Sequence, residues 1–161
     1  MQMTIRPANA EDVSTVVSIL RRACATVAER FGLTEENCPK SPAFYTRQRV
    51  EEDIARGVQY FLLAEDRQTC ACVAMEQAKP GVVYLERLAV LPDRRGQGFG
   101  QALVHHVLAQ AKAIDAARVE IGIISEDTGL KDWYGRFGFI ETGTKTFDHL
   151  PFVVAFMAKE L

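Results

Sequence analysis

Leu88-Ala89-Val90-Leu91-Pro92-Asp93-Arg94-Arg95-Gly96-Gln97-Gly98-Phe99-Gly100 is the stretch from which the rest of the chain can be read. An apolar run of strand character meets a proline, then two arginines, then three glycines at alternate positions. Directly behind them Phe99, Leu103, Val107, Ala111 and Ile114 recur at the spacing of one helix face. Glycine lets the main chain turn its N–H groups inward with no Cβ in the way. Such N–H groups at a helix start, helped by the helix dipole and nearby guanidinium groups, make an anion site suited to phosphate. The stretch is therefore read as a pyrophosphate cradle. The bland alternative is a glycine-rich turn that only joins a strand to a helix.

Three phosphate motifs compete. A Walker A loop requires G-x-x-x-x-G-K-[ST], and no lysine follows these glycines. A dinucleotide fingerprint requires G-x-G-x-x-G early in a βαβ unit, whereas Gly96, Gly98 and Gly100 lie more than halfway along the chain. What fits is R-x-x-G-x-G, carried by Arg95-Gly96-Gln97-Gly98-Phe99-Gly100 behind a strand. This resembles the coenzyme A loop of the GNAT superfamily of N-acetyltransferases. A second stretch, Asp127-Thr128-Gly129-Leu130-Lys131-Asp132-Trp133-Tyr134-Gly135-Arg136-Phe137-Gly138-Phe139, resembles the family pattern N-x-x-A-x-x-[LF]-Y-x-x-x-G-F. Tyr134, Gly138 and Phe139 match in register, while Asp127 replaces the usual Asn and Leu130 the usual Ala.

Before the loop, Tyr60 to Glu65, Cys70 to Gln77 and Val82 to Leu91 read as a meander of strands, with turns at Asp66 to Thr69 and Lys79-Pro80-Gly81. Thr4 to Pro7 reads as a first strand. Asn9 reads as the N-cap of a helix whose apolar stripe runs from Val13 to Val27. After a loop from Phe31 to Ser41, Ser41-Pro42 suits the start of a second helix from Ala43 to Arg56. Beyond the glycine helix come a strand at Val119 to Ile124, a short helix at Asp127 to Phe137, and strands at Phe139 to Thr146 and Val153 to Lys159. The order implies one α+β domain over residues 4–161, with helices and a mixed, mostly antiparallel sheet. The resemblance adds helices on both faces and a V-shaped splay between the fourth and fifth strands.

The resemblance also implies roles. The backbone of Leu88, Ala89 and Val90 would bond a pantetheine arm inserted beside Val119 to Ile124, and one N–H would face the thioester oxygen. Gly96, Gln97, Gly98, Phe99 and Gly100 would hold the pyrophosphate, with Arg95 on a phosphate and Arg94 solvated. Asp127 stands where the family Asn contacts pantetheine. Tyr134 would protonate the departing thiolate. From the residues themselves, Glu86 shares strand parity with Tyr84, Leu88 and Val90 and is a candidate general base. His149 is a second candidate. Packing or solvation is the plain alternative for each of these side chains.

Composition narrows the class. At 161 residues, 48% hydrophobic and 25% charged, the chain has the make-up of a globular domain. A net charge of −2 argues against a nucleic-acid partner. No apolar run approaches the ~20 residues of a membrane span, and the N-terminus lacks signal-peptide character, so a cytoplasmic protein is expected. Cys24, Cys38, Cys70 and Cys72 have neither disulfide nor zinc spacing. They read as reduced, with Cys70 and Cys72 sharing a strand face. His105 and His106 are adjacent on a helix and diverge, so no metal is expected.

The expected activity is transfer of acetyl from acetyl-CoA, as co-substrate, to a primary amine in a ternary complex. The expected acceptor is a small molecule or a peptide, and a homodimer paired through the C-terminal strands is the expected assembly. An acetyl-CoA sensor without catalysis and a protein binding another nucleotide are the alternatives.

Overall fold

The computed structural model of the protein describes residues 2–161. The elements run β1 (Met3–Pro7), α1 (Val13–Phe31), α2 (Arg47–Ala55), β2 (Gln59–Glu65), β3 (Gln68–Lys79) and β4 (Val82–Val90). They continue α3 (Phe99–Ala113), β5 (Arg118–Ile124), α4 (Thr128–Gly135), β6 (Ile140–Thr146) and β7 (Val153–Glu160). One seven-stranded sheet takes the order β1-β2-β3-β4-β5-β7-β6. Every neighbouring pair is antiparallel except β4 and β5, which are joined through α3 and run parallel.

Successive strand residues address opposite faces, and β2 shows what covers each. The Tyr60 hydroxyl donates to Asp53 of α2 at 2.8 Å, while Phe61 meets the His106 ring of α3 at 4.5 Å. Helix α1 packs beside α2 and buries Val13, Val16, Ile19, Leu20 and Ala23. Helix α3 buries Phe99, Leu103, Val104, Val107 and Ala111 on the far side. Together with Leu62, Leu63, Val73 and Val83 these make one core.

Four local expectations are corrected. Ser41 caps only a single 3₁₀ turn at Pro42–Phe44; the chain extends again at Tyr45, and Thr46 caps α2 by accepting from Arg49 N–H at 3.2 Å. The β2–β3 turn is shorter than expected, two residues long, because Asp66 and Arg67 both adopt positive φ (48° and 73°), the geometry of a tight hairpin. A bulge at Leu63/Ala64 leaves Cys70 out of the β2–β3 alternation. Cys72 consequently neighbours Cys24 and Arg87, while Cys70 neighbours Glu65 and Arg94. Fourth, Arg94 is not a solvated arginine: its guanidinium is paired with Glu65 and lies 5.6 Å from the Phe99 ring centroid. All four cysteines are free.

Candidate active site

Strands β4 and β5 pair only through Val82–Arg118, Val83–Val119 and Tyr84–Glu120. Beyond that point β4 keeps β3 and β5 keeps β7, so the two facing edges part and leave N–H and C=O groups without a strand partner. The cause is local to Arg87. Glu86 opposes Ala74 and Ala89 opposes Cys72, so Arg87 and Leu88 together face Val73 alone, and Arg87 takes φ +52°. This bulge also corrects the expected parity: Glu86 shares its face with Tyr84 and Ala89, not with Leu88 and Val90.

Where β4 ends, Gly96 and Gly98 carry φ of 77° and 88°, values that disfavour any residue with a Cβ. A Cβ on either would meet nothing within 4 Å, so both face open space. Gly98 is the N-cap of α3 and supplies no side chain, which leaves the N–H groups of the first turn for a ligand. Gly100 serves differently. A Cβ there would sit 3.4 Å from the Trp133 ring and 3.8 Å from Val90, so its absence lets α4 close against α3. Phe99 is buried as a core anchor and offers the loop only its backbone.

Two cavities meet at Val27, Leu88 and Leu130. One, of about 530 Å³, lies under the loop against Leu88, Ala89, Val90, Arg95, Gly96, Gly98, Phe99 and Gly100. The other, of about 700 Å³, lies in the mouth of the β4–β5 splay against Glu86, Leu88, Asp127, Tyr134 and His149. Of the residues singled out in the sequence, Gln97 alone lines neither and is exposed at the loop tip. Arg95 lines the first, with its guanidinium donating to Ala23 O at 2.9 Å, Thr26 Oγ1 at 3.1 Å and Val90 O at 3.2 Å.

Burial pushes the Tyr134 phenol well above its ordinary pKa, so it stays protonated at neutral pH. Burial likewise raises Glu86, partly offset by Arg87, whose Nη1 lies 2.9 Å from the Glu86 carboxylate. Asp127 caps α4 through Leu130 N–H at 3.2 Å and lies 3.4 Å from Arg30.

Sequence reading missed the buried network that stands behind Tyr45, Arg49 and Arg87 of the second cavity. Asp53 is 1% exposed and accepts from Tyr60 Oη, from Arg49 Nε at 3.3 Å and from Arg56 Nη2 at 3.2 Å, with Arg87 Nη2 3.7 Å away. Arg87 Nε donates to the Tyr45 hydroxyl at 2.6 Å. The available signal was the spacing of Arg49 and Asp53, which puts an arginine and an aspartate four apart on one helix face. Nothing in the sequence marks Arg87, because its placement comes from the bulge. Among the described residues, no three His, Cys, Asp or Glu side chains converge as a metal site requires.

A family model described as an acetyltransferase (GNAT) domain matches residues 32–161. The chain belongs to the GNAT acetyltransferase family. It is 38% identical, over 65 residues, to an uncharacterised N-acetyltransferase of Mycobacterium tuberculosis, covering 40% of this chain and 42% of that protein. The chain thus matches less than half the length of that curated relative. In structure it is similar to the PaiA N-acetyltransferase of Thermoplasma acidophilum in complex with coenzyme A, with a TM-score of 0.81 at 16% identity over all of both chains. It is similar also to the ribosomal-protein-S18-alanine N-acetyltransferase of Escherichia coli, with a TM-score of 0.78 at 17% identity over 99% of this chain and 94% of that one. The mixed sheet and its splay are the GNAT fold. No helix of the described residues is long and apolar enough to cross a membrane.

Proposed function

We propose that this GNAT protein is an N-acetyltransferase that moves acetyl from acetyl-CoA to a primary amine by direct attack in a ternary complex. The observation that carries the reading is the end-to-end meeting of the two cavities at Val27, Leu88 and Leu130. One is walled by an uncapped helix start and glycines, the other by the buried phenol of Tyr134 and the half-buried carboxylate of Glu86. The first-turn N–H groups of α3 hold the pyrophosphate, and the free edge of Leu88 to Val90 bonds the pantetheine amides. A backbone N–H of that edge faces the thioester oxygen, where negative charge develops.

In this reading Glu86 accepts the ammonium proton before attack, and Tyr134 Oη donates a proton to the departing thiolate. The C–N bond forms as the amine lone pair adds to the thioester carbonyl, the C–S bond breaks as that carbonyl re-forms, and the proton shed by the nitrogen replaces the one Tyr134 gave, so no covalent enzyme intermediate is required. Cys24, which lines the coenzyme cavity, has a thiol pushed by burial up to about 11, so it is not a thiolate at neutral pH. Holding both reactants in the splay supplies most of the acceleration through proximity. The proposal takes residues 4–161 as one catalytic domain in the cytoplasm, pairing with a second copy along β6, which is exposed over its whole length.

Calorimetric titration with acetyl-CoA tests the first link, with ATP and NAD as controls. Selective micromolar binding followed by thiol release with an amine is the expected result. Binding without turnover on any amine would leave an acetyl-CoA sensor, and preference for ATP or NAD would overturn the reading.

A further inference from the structure

The second cavity contains an arginine with its donors set out for a ligand. Arg49 is held at one end: its Nε donates to buried Asp53 at 3.3 Å, and its guanidinium carbon lies 5.2 Å from the Tyr45 ring centroid. Stacking and a single anchored nitrogen fix the plane of the group while leaving its outer edge unused. Among the described residues neither Arg49 Nη has a hydrogen-bond partner, and Arg49 lines the cavity. Two Nη groups in a fixed plane match a carboxylate in bidentate fashion.

Lys40 apart, the other charged groups of the cavity are already matched. Arg87 serves Glu86, Tyr45 and Asp53; Asp127 serves Arg30; Glu120 is paired with Arg118. Arg49 is therefore the guanidinium left to meet an incoming anion, with Lys40 on the same wall. Arg49 and the candidate base Glu86 line the same cavity. Arg49 and Arg87 converge on one carboxylate, Asp53, and Arg87 touches Glu86. One small molecule in that cavity can set an anion on Arg49 and an amine beside Glu86. The cavity is also lined by the apolar Ile123, Leu150, Phe152, Val154 and Phe156.

We propose that the acceptor is a free α-amino acid with an apolar side chain. Its carboxylate lies on Arg49, its amine beside Glu86, and its side chain against Leu150, Phe152 and Phe156. The inference rests on the acetyltransferase reading for the fate of the amine, but the anion site can be measured without turnover.

The test compares L-leucine, L-methionine and L-phenylalanine with their carboxamides, which keep the amine and side chain and lose the anion. The wild type should use each acid with a kcat/KM at least about 50-fold above its amide, because a charge-assisted contact is lost and the guanidinium edge is left unpaired. Arg49→Gln should bring that ratio near one, chiefly through KM, and Arg49→Lys should restore part of it. Equal use of acid and amide by the wild type would overturn the proposal. A preference that survives Arg49→Gln would overturn the role of Arg49. Should Arg49→Gln lose its fold, seen as lost coenzyme A binding, Arg49→Lys and the wild-type comparison decide.

Calorimetry on protein saturated with coenzyme A separates this from the activity itself. Binding of leucine but not leucinamide establishes the anion site even where no amine is acetylated, which would count against the catalytic reading alone. Absence of leucine binding there, with no preference in turnover, rules out the site.

Discussion

Around Gly98 the cleft is walled by main chain, whereas around Asp53 it is walled by side chains from three separate elements. The proposed coenzyme side offers the first-turn N–H groups of α3, the open faces of Gly96 and Gly98, and the edge of Leu88 to Val90 that has no partner on β5. The proposed acceptor side offers Arg49 of α2 and Arg87 of β4, gathered on the buried Asp53 carboxylate, and Tyr45 from the chain entering α2, whose hydroxyl accepts from Arg87. A site made of backbone accepts any ligand with the right amides and phosphates and is indifferent to most side chains. A site made of a charge network stands or falls together, because removing one member leaves the others buried and unpaired. The comparison predicts that the two sides can be damaged separately.

The largest effect is expected where they join. Tyr134→Phe should lower turnover by about 10²- to 10⁴-fold while the coenzyme A Kd changes little, because only the proton donor is lost and the buried ring stays. Steady-state rates beside calorimetry measure both. An undiminished rate would remove Tyr134 from the chemistry and leave it as packing between α4 and Phe139, whose ring lies 5.5 Å away.

Asp53→Ala comes next and tests the acceptor side alone. It strips Tyr60, Arg49, Arg56 and Arg87 of their common acceptor. Removing one partner of a buried ion network costs about 3–5 kcal/mol, which for a chain of this size lowers Tm by on the order of 10 °C. Below the new Tm, coenzyme A affinity should hold while the acceptor KM rises. Equal loss of both affinities would mean that the two sides are one cooperative unit.

The difference in material also explains what the sequence disclosed. The glycine loop and the Tyr134 stretch are contiguous, so their pattern survives in the chain, and the order of strands follows from apolar runs between turn residues. The acceptor side draws on Arg49, Asp53 and Arg87, which are scattered in sequence and read singly as surface charges. The bulge was hidden for a related reason. Arg87 takes φ +52° with no glycine to mark it, and one extra residue in the nine of β4 reverses parity without disturbing the composition of the strand. Thr46, not Ser41, starts α2 because Tyr45 is extended, a choice that follows from where its hydroxyl meets Arg87.

Glu86 sharpens the comparison through pH. Burial raises its pKa in the folded protein, so its base form is lost as pH falls through a value above the ordinary carboxylate range. The acidic limb of kcat/KM should accordingly lie above that range. Glu86→Gln should lower kcat/KM by about 10²-fold and remove the limb. The stability linkage has the opposite sense from an acid whose pKa is lowered: a raised pKa favours the folded state below the unfolded pKa, and that contribution fades as pH rises through the folded one. The variant should therefore flatten this part of the stability–pH curve. An unchanged limb and rate would pass the role to His149, which lines the same cavity.

Arg95 is expected to give the smallest effect, and it is where the backbone side could turn out to depend on a side chain. Its guanidinium bonds Ala23 O, Thr26 Oγ1 and Val90 O, tying α1 to the end of β4 directly beside the glycines. One arginine can both hold that junction and present its charge to a phosphate. Arg95→Ala should raise the acetyl-CoA Kd about tenfold at low ionic strength, with the gap to the wild type closing as salt screens the phosphate. A Kd that rises equally at all salt concentrations would mean that only the shape of the junction was lost. An unchanged Kd with a lowered Tm would make Arg95 a structural clasp and leave phosphate recognition to the main chain, the strongest form of the contrast between the two sides.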